Sequence, residues 1–288
     1  YLKLLEIIPT PKTDQWVVDF FMEYGDKYLG KTTVLAKDTP AFIANRVGIF
    51  GIMEMFHQIA EMGLTVEQVD KLTGPVIGRP KSATFRTCDV VGLDTLVHVA
   101  KGLHKACPND EKNASFVLPP FIEKLMSENW LGDKTGQGFY KKTKVDGKTN
   151  ILALDLNTYE YKEKSRVKFA ALEASKPIDN LAERIKFLTL FKDEAGEFYR
   201  KTFGALFAYV TNRIPEITDD LFRIDQAMKA GFGWEMGPFE LWDAIGINKA
   251  LEFMKANGQA VAPWIEDFLA DGHQTFYKTK FEIREVPL

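Results

Sequence analysis

The first part of the chain combines two short apolar runs with one amphipathic helix. Residues 2–8 and 32–36 are mainly apolar runs of strand length, and they predict two buried strands. Between them, apolar residues over 14–24 recur on one face of a helix. Strand, helix and strand form one βαβ unit, and a parallel pair this short does not make a stable sheet alone. We therefore expect this unit to belong to a larger sheet domain.

Beyond this unit the pattern is mostly helical. A long helix is predicted from 38–40, where Asp or Thr can cap and Pro suits the first turn, to about Met62, with Gly63 as its stop. Thr65 and Gln68 form a capping-box pattern for the next helix. Two further helices are predicted over 94–105 and 119–128. A hairpin is predicted from strands over 139–144 and 148–154, with its turn around Asp146 and Gly147.

The chain also contains an internal repeat with a period of 155 residues. The matching positions are Lys37-Asp38 with Lys192-Asp193, Val69-Asp70 with Ile224-Asp225, and Gly78 with Gly233. After a slip of one residue, the matches are Phe85, Asp89, Gly92 and Leu93 with Phe239, Asp243, Gly246 and Ile247. Because the matches persist in order, they predict a duplicated helical domain.

Composition and charge narrow the class of protein. The chain is 45% hydrophobic, 12% aromatic and 27% charged, as is typical of a soluble globular protein. Its net charge is −3 and its cations are scattered, so neither nucleic acid nor an acidic membrane is an expected partner. The longest apolar stretch, 42–60, is interrupted by polar residues and does not predict a membrane span. The two cysteines, Cys88 and Cys107, lack metal-site spacing, so we expect no metal and a cytoplasmic location.

Three strings carry a family resemblance. They are KLLEII at 3–8, KDTPAFIANR at 37–46 and KTGQGFY at 134–140. In this order and spacing they resemble the 3-hydroxyacyl-CoA dehydrogenase family, which oxidises 3-hydroxyacyl-CoA to 3-oxoacyl-CoA with NAD in fatty acid β-oxidation. The string GWEMGPFEL at 233–241 is similar to the helical domain of the same family.

The resemblance implies a particular architecture and set of partners. Family members have an N-terminal Rossmann domain that binds NAD, and a helical domain that closes the acyl-CoA cleft. Long forms carry a second helical copy, which we expect here in the position of a dimer partner. The implied partners are an acyl-CoA substrate and a fused or associated enoyl-CoA hydratase, and an oligomer is compatible with the family.

Repeat and resemblance together divide the chain. The expected fold is mainly α, with two related helical domains in tandem after a short βαβ remnant of a Rossmann domain. Residues 1–36 are the end of the dinucleotide-binding domain, 37–144 the first helical domain, 145–191 a linker with a hairpin and short helices, and 192–288 a second, diverged helical domain. Because Tyr1 begins without an initiator Met or a signal-peptide pattern, we expect the chain to be cut from something longer.

Two residues match family positions that serve the chemistry. Removal of the hydroxyl proton needs a base, and a histidine held by a carboxylate suits neutral pH. The family's carboxylate matches Glu6, whose histidine partner then falls before Tyr1; the structural alternative is a polar or solvated strand position. The family asparagine near the substrate oxygen matches Asn45, which would stabilise negative charge there. The alternative is a solvent-facing helical residue, but Ile43, Val47 and Phe50 predict a substantially buried helix.

Other candidates are assigned structural roles. The repeat aligns Asn45 with Arg200, so the second copy is expected to be noncatalytic. Asp89 and Asp243 are interpreted as caps at helix junctions, and none of the four histidines matches a catalytic position. The glycine pairs 136/138 and 231/233 lack the third glycine and the preceding strand of a Gly-x-Gly-x-x-Gly dinucleotide-binding motif. We therefore predict that they form turns and not a dinucleotide site. NAD is therefore expected on the missing domain, and the fragment alone is expected to be inactive.

Two alternatives stay open. The chain could be a noncatalytic helical dimerisation or scaffold module of a fatty-acid oxidation complex, although Glu6 and Asn45 argue against that as its only role. It could also serve a dehydrogenase of another 3-hydroxy acid. The apolar helix over 42–60 either lines an acyl tunnel or fills the core.

Overall fold

A computed structural model describes residues 2–145, 147–165 and 167–278. These residues are mainly helical, as the sequence predicted. Asp146 of the predicted hairpin turn and residues 279–288 of the last predicted domain lie outside the described residues.

The N-terminal unit consists of β1 (Leu4–Ile7), α1 (Gln15–Lys27) and β2 (Thr32–Leu35). The two strands pair in parallel, with Leu4 opposite Thr32, so both predicted strands and the predicted helix are confirmed. One face of α1 packs on the strands, where its Gly25 allows close contact with the Thr33 side chain.

The rest of the chain is a helical assembly with one small sheet. Its first elements are α2 (Ala44–Met62), α3 (Val66–Leu72), α4 (Phe85–Val91), α5 (Leu93–Ala106), α6 (Pro120–Ser127), β3 (Tyr140–Val145), β4 (Lys148–Leu154) and β5 (Tyr161–Glu163). The later elements are α7 (Ala170–Ser175), α8 (Leu181–Leu190), α9 (Glu194–Asn212), α10 (Leu221–Phe232), α11 (Pro238–Ile245), α12 (Ile247–Ala256) and α13 (Trp264–Ala270). β3, β4 and β5 form an antiparallel sheet, so the predicted hairpin gains a third strand that the sequence pattern did not indicate.

The long helix α2 starts later than predicted. Ala41 and Phe42 have φ angles of +63° and +53°, so the helix begins at Ala44 and the predicted start at 38–40 is wrong. Left-handed backbone at two successive non-glycine residues interrupts a helix. The predicted end is confirmed, because Gly63 adopts a φ of +67° and closes α2.

Helices α2 and α9 are the long central pair and pack against each other. At their contact the rings of Phe50 and Tyr209 stack with centroids 3.7 Å apart, and both side chains are fully buried. A buried layer that joins β2, α2, α9, α10 and α11 is formed by Val34, Ile43, Val47, Leu206, Val210, Ile224 and Phe239. The two parts of the chain that the repeat relates therefore share their apolar interior.

The repeated aspartates make the same hydrogen bonds in both parts. Asp70 accepts the amide of Phe85 and the hydroxyl of Tyr140, and Asp225 accepts the corresponding groups of Phe239 and Tyr277. Each of these carboxylates ties the start of a later helix to a tyrosine further along the chain.

The second aspartate pair is also repeated. Asp89 accepts two amides of residues 139–140, and Asp243 accepts two amides of residues 276–277. Both carboxylates therefore hold a distant segment. The sequence predicted that the two aspartates cap the junction to the next helix. That prediction is wrong, because the amides they bind belong to segments beyond that helix.

Candidate functional site

Glu6 joins β1 to the start of α2. The side chain is partly buried, and its Oε1 accepts the backbone amide of Ile43 at 2.8 Å and that of Ala44 at 3.1 Å. These amides have no partner within the helix, so the carboxylate acts as a cap supplied by another element. Burial raises the pKa of Glu6, and the two amide bonds lower it. No local pattern in the sequence indicates this role, and the Thr39-Pro40 pattern predicts the cap elsewhere.

Asn45 is the second residue of α2 and its side chain is exposed. The predicted burial of the helix is confirmed, but Asn45 itself is one of its exposed residues. Ile43, Val47 and Phe50 are buried on one side, but each helical residue turns by about 100° from the last, so Asn45 lies opposite them on the outer face. Within the described part of the chain its amide makes no hydrogen bond and is available to a ligand.

The structure brings the two predicted site residues together. The amides that Glu6 binds belong to the two residues immediately before Asn45. The carboxylate therefore fixes the turn from which the Asn45 amide projects.

Asn45 lines a cavity of about 360 Å³. Its walls come from α2, the segment 79–88, α5, α9 and the end of α10, and its lining is mostly apolar. A volume of this size and character is typical of a small-molecule site. Because Asn45 is exposed and also lines the cavity, it lies at an open edge of the cavity, as do the exposed Val91 and Thr95.

Gly48 lets the second half of the chain form one wall of this cavity. A Cβ at Gly48 would lie 2.0 Å from the ring of Phe232. The ring of Phe232 thus rests directly on the backbone of α2, one turn after Asn45. Only a residue without a side chain permits that approach.

The residue after Asn45 is held by a buried ionic network. Arg46 is fully buried, and its guanidinium binds the carboxylate of Asp110 at 2.7 Å and the hydroxyl of Tyr209 at 2.7 Å. Arg213 binds the same carboxylate at 2.9 Å. The network connects α2 with the end of α9, and it holds the first turn of α2 through a buried side chain. Sequence analysis missed it, although a lone arginine in an apolar helical run was a usable signal.

In the second half, Arg200 occupies the position that the repeat aligns with Asn45. Its guanidinium donates to the carbonyls of Thr189 at 2.8 Å and Phe191 at 2.9 Å. Arg200 therefore ties α9 to the end of α8. Arg200 therefore has a structural role in packing these two helices together.

The glycine pairs serve turns and close packing. A Cβ at Gly138 would lie 2.1 Å from the Oδ1 of Asp89, so that glycine allows the carboxylate to reach its amides. A Cβ at Gly231 would lie 2.9 Å from the side chain of Leu4. Neither pair forms a phosphate cradle after a strand, so the described residues do not fit NAD by themselves.

Comparison with known proteins identifies the family. The family model for the C-terminal domain of 3-hydroxyacyl-CoA dehydrogenase matches residues 42–142 and 202–278, which is more than half of the chain. The chain belongs to this family. The resemblance stated from the sequence is therefore confirmed.

Relatives within and around this family are longer proteins. A probable 3-hydroxyacyl-CoA dehydrogenase of Bacillus subtilis is 46% identical over 277 residues, which cover 96% of this chain and 34% of that protein. A putative fatty acid oxidation complex trifunctional enzyme of Rickettsia felis is 29% identical over 242 residues, covering 84% of this chain and 32% of that protein. The chain thus spans about a third of the length of these curated relatives.

A solved structure supports the fold. The 3-hydroxybutyryl-CoA dehydrogenase of Escherichia coli K12 superimposes with a TM-score of 0.65 at 17% identity, covering 94% of this chain and 68% of that one. Among the described residues, no helix combines the length and apolar character needed to cross a membrane.

Proposed function

We propose that this chain forms the substrate-side part of a 3-hydroxyacyl-CoA dehydrogenase, which oxidises 3-hydroxyacyl-CoA to 3-oxoacyl-CoA in fatty acid β-oxidation. The observation that carries the proposal is the placement of Asn45 at a cavity mouth, on a helix turn fixed by Glu6. Family membership and a relative named as such a dehydrogenase support it.

Glu6 has a free oxygen for a second task. Its Oε1 caps α2, whereas Oε2 accepts no hydrogen bond from the described residues. Oxidation of the 3-hydroxyl group releases a proton, and a histidine from a part of the protein outside this chain would accept it. The Oε2 of Glu6 would accept the other ring N–H of that histidine, fix its tautomer and stabilise its charged form.

Asn45 contacts the substrate in this proposal. Its amide would donate to the oxygen of the reacting group, where negative charge develops as the hydroxyl proton leaves. NAD supplies the hydride acceptor when it is bound, and we assign its binding to a part of the protein outside these residues. The apolar cavity beyond Asn45 would receive the acyl group.

We also infer that the chain is a tandem of two related helical domains, 37–144 and 192–288, after the βαβ end of a Rossmann domain at 1–36, with residues 145–191 between them. The paired aspartate contacts support this division. Because Arg200 is a packing residue, the second domain is the internal partner of the first and carries no catalytic group.

The partners follow from the same proposal. They are an acyl-CoA substrate and a fused or associated enoyl-CoA hydratase, and the protein can form oligomers. A relative named as a trifunctional enzyme of a fatty acid oxidation complex supports such an association. The buried free thiols of Cys88 and Cys107 fit the cytoplasm, which is the location we propose.

One observation favours a second candidate function. Glu6 already has a structural partner in the amides of α2, so its retention does not by itself require catalysis. The alternative is a noncatalytic helical scaffold of a fatty-acid oxidation complex. The two candidates differ in what the exposed Asn45 does.

The test is an Asn45→Ala substitution in the protein that carries this chain at its natural length. We expect kcat for NAD reduction by a 3-hydroxyacyl-CoA to fall about 10²-fold or more, as when an oxyanion-hole donor is removed. Asn248 is the matched control, since it is also an exposed second residue of a helix, α12, and Asn248→Ala should keep normal activity. If Asn45→Ala keeps normal activity as well, the scaffold is the better account. The 288-residue chain alone should give no turnover.

A further inference from the structure

Arg79 is stacked on Trp234 in the wall of the cavity. The guanidinium carbon lies 4.0 Å from the indole centroid, within the range of a cation–π contact. The two residues are held in register by a backbone hydrogen bond of 2.8 Å from Glu235 to Gly78. The position of the guanidinium is therefore fixed by segments from both halves of the chain.

The charge of Arg79 has no acidic partner in the part of the chain that the structure describes. Other arginines are paired: Arg46 with Asp110 and Arg86 with Asp133. The guanidinium of Arg79 forms neither an ion pair nor a hydrogen bond with any described residue, and only the backbone amide is bonded, to the carbonyl of Gly74. Burial lowers its pKa to about 10, so it stays charged at neutral pH. A partly desolvated cation without a partner costs free energy, and an anionic ligand would remove that cost.

Glu54 is the carboxylate that also lines the cavity, and it is already engaged. Its Oε1 accepts the side-chain amide of Gln58 at 3.1 Å, and its Oε2 accepts the hydroxyl of Ser115 at 3.1 Å. It forms no ion pair or hydrogen bond with Arg79. The guanidinium is therefore left for a group that enters the cavity.

The contacts define a path from the mouth of the cavity to Arg79. Asn45 and Gly48 are one turn apart on α2, and Phe232 lies over Gly48. The ring centroid of Phe232 is 6.4 Å from that of Trp234, on which Arg79 stacks. All five residues line the cavity. An acyl group that begins at Asn45 and follows this apolar wall ends near a cation.

We propose that Arg79 binds a carboxylate at the far end of the acyl group, so that the cavity selects acyl-CoA thioesters of dicarboxylic acids over those that end in a methyl group. This inference rests on the proposed function, because it takes Asn45 as the site of the reacting end. A carboxylate matches the fork of N–H donors on a guanidinium, and Trp234 holds that fork in one plane. An acyl group that ends in a methyl group would displace water from the guanidinium of Arg79 and leave that cation without a partner.

The test compares two ligands of equal chain length on the 288-residue chain by calorimetry. Suberyl-CoA, which ends in a carboxylate, should bind about tenfold more tightly than octanoyl-CoA. Arg79→Met should abolish that preference, and Arg79→Lys should keep only part of it because a lysine cannot form the bidentate pair. Arg223→Met is the control, since Arg223 is paired with Asp220 outside the cavity, and it should keep the full preference. Equal binding of the two thioesters to the unmodified chain, or an unchanged preference in Arg79→Met, would overturn the proposal.

A second pair of probes separates this inference from the proposed function. Monomethyl suberate carries one free carboxylate, and methyl octanoate carries none. If neither thioester binds, the assignment of the cavity to acyl-CoA is wrong, and the small probes still decide the role of Arg79. Binding of monomethyl suberate that is lost in Arg79→Met would support an anion site, whereas equal binding of the two esters would reject it.

Discussion

One carboxylate oxygen of Glu6 accepts the amide of Ile43 at 2.8 Å, so a strand residue caps the helix that carries Asn45. The contact links the N-terminal βαβ unit to the helical part at the point where the site begins. It gives Glu6 a structural role in stability, which can be measured separately from any role in catalysis.

The cap predicts a modest stability effect. Glu6→Ala should lower the free energy of unfolding by about 1 kcal/mol, the usual cost of a lost helix cap. Glu6→Gln keeps an oxygen that can accept both amides, so it should lose less. Urea denaturation of the two variants measures the difference. Equal losses in both variants would show that the negative charge, rather than the acceptor oxygen, provides the cap.

The buried network predicts a larger effect. Asp110→Ala leaves the fully buried Arg46 without its closest carboxylate, and it should destabilise the chain by about 3 kcal/mol. Asp271→Ala, on an exposed loop position, is the control and should change stability by less than about 0.5 kcal/mol. A loss for Asp110→Ala as small as that of the control would show that the network contributes little to the association of α2 with α9.

The contact between Gly48 and Phe232 predicts a double-mutant result. Gly48→Ala places a methyl group 2.0 Å from the ring of Phe232, so it should cost about 1–3 kcal/mol as an overpacked substitution. Combined with Phe232→Ala, the same change should cost much less, because the ring that it meets is gone. Thermal unfolding of the single and double variants measures this coupling. Strict additivity would mean that Phe232 does not rest on α2.

The buried Asp225 predicts a pH dependence. Burial raises its pKa to about 7 from an ordinary 3.8, against the hydrogen bonds of Phe239 and Tyr277. The folded chain therefore retains a proton that the unfolded chain loses above about pH 4. The resulting stability is full below that pH and is lost as the pH rises through about 7.

A non-titrating variant isolates that contribution. Asp225→Asn should be less stable throughout, but its free energy of unfolding should fall less steeply between about pH 4 and 7 than that of the unmodified chain. Denaturation at several pH values across this window provides the comparison. If the unmodified chain instead becomes more stable relative to the variant as the pH rises, then the hydrogen-bonded carboxylate is charged and the pKa is not raised.

Local signals in the sequence predicted much of the fold. The capping box of Thr65 and Gln68 forms as expected, with bonds of 3.2 and 2.8 Å. Gly63 ends α2 because a left-handed residue is needed there. Such features depend on residues a few positions apart, so the sequence is sufficient to find them.

Features that depend on distant partners were not predictable in the same way. The start of α2 is set by Glu6, which lies 37 positions before Ile43, and not by the nearby Thr39-Pro40 pattern. The exposure of Asn45, in contrast, could be predicted from the helical phase, because Ile43, Val47 and Phe50 lie on the opposite side of the helix. The pairing of Arg79 with Trp234 joins segments far apart in the chain, and neither residue carries a local sign of it.

The most direct test of the central claim is the kcat of Glu6→Gln, measured in the natural-length protein with a 3-hydroxyacyl-CoA and NAD, alongside its stability. The amide can still cap α2 but cannot stabilise a charged histidine. We predict a folded protein of nearly normal stability whose kcat falls at least tenfold, with an altered pH–rate profile. A normal kcat and pH profile in this variant would contradict the account and leave Glu6 as a helix cap alone.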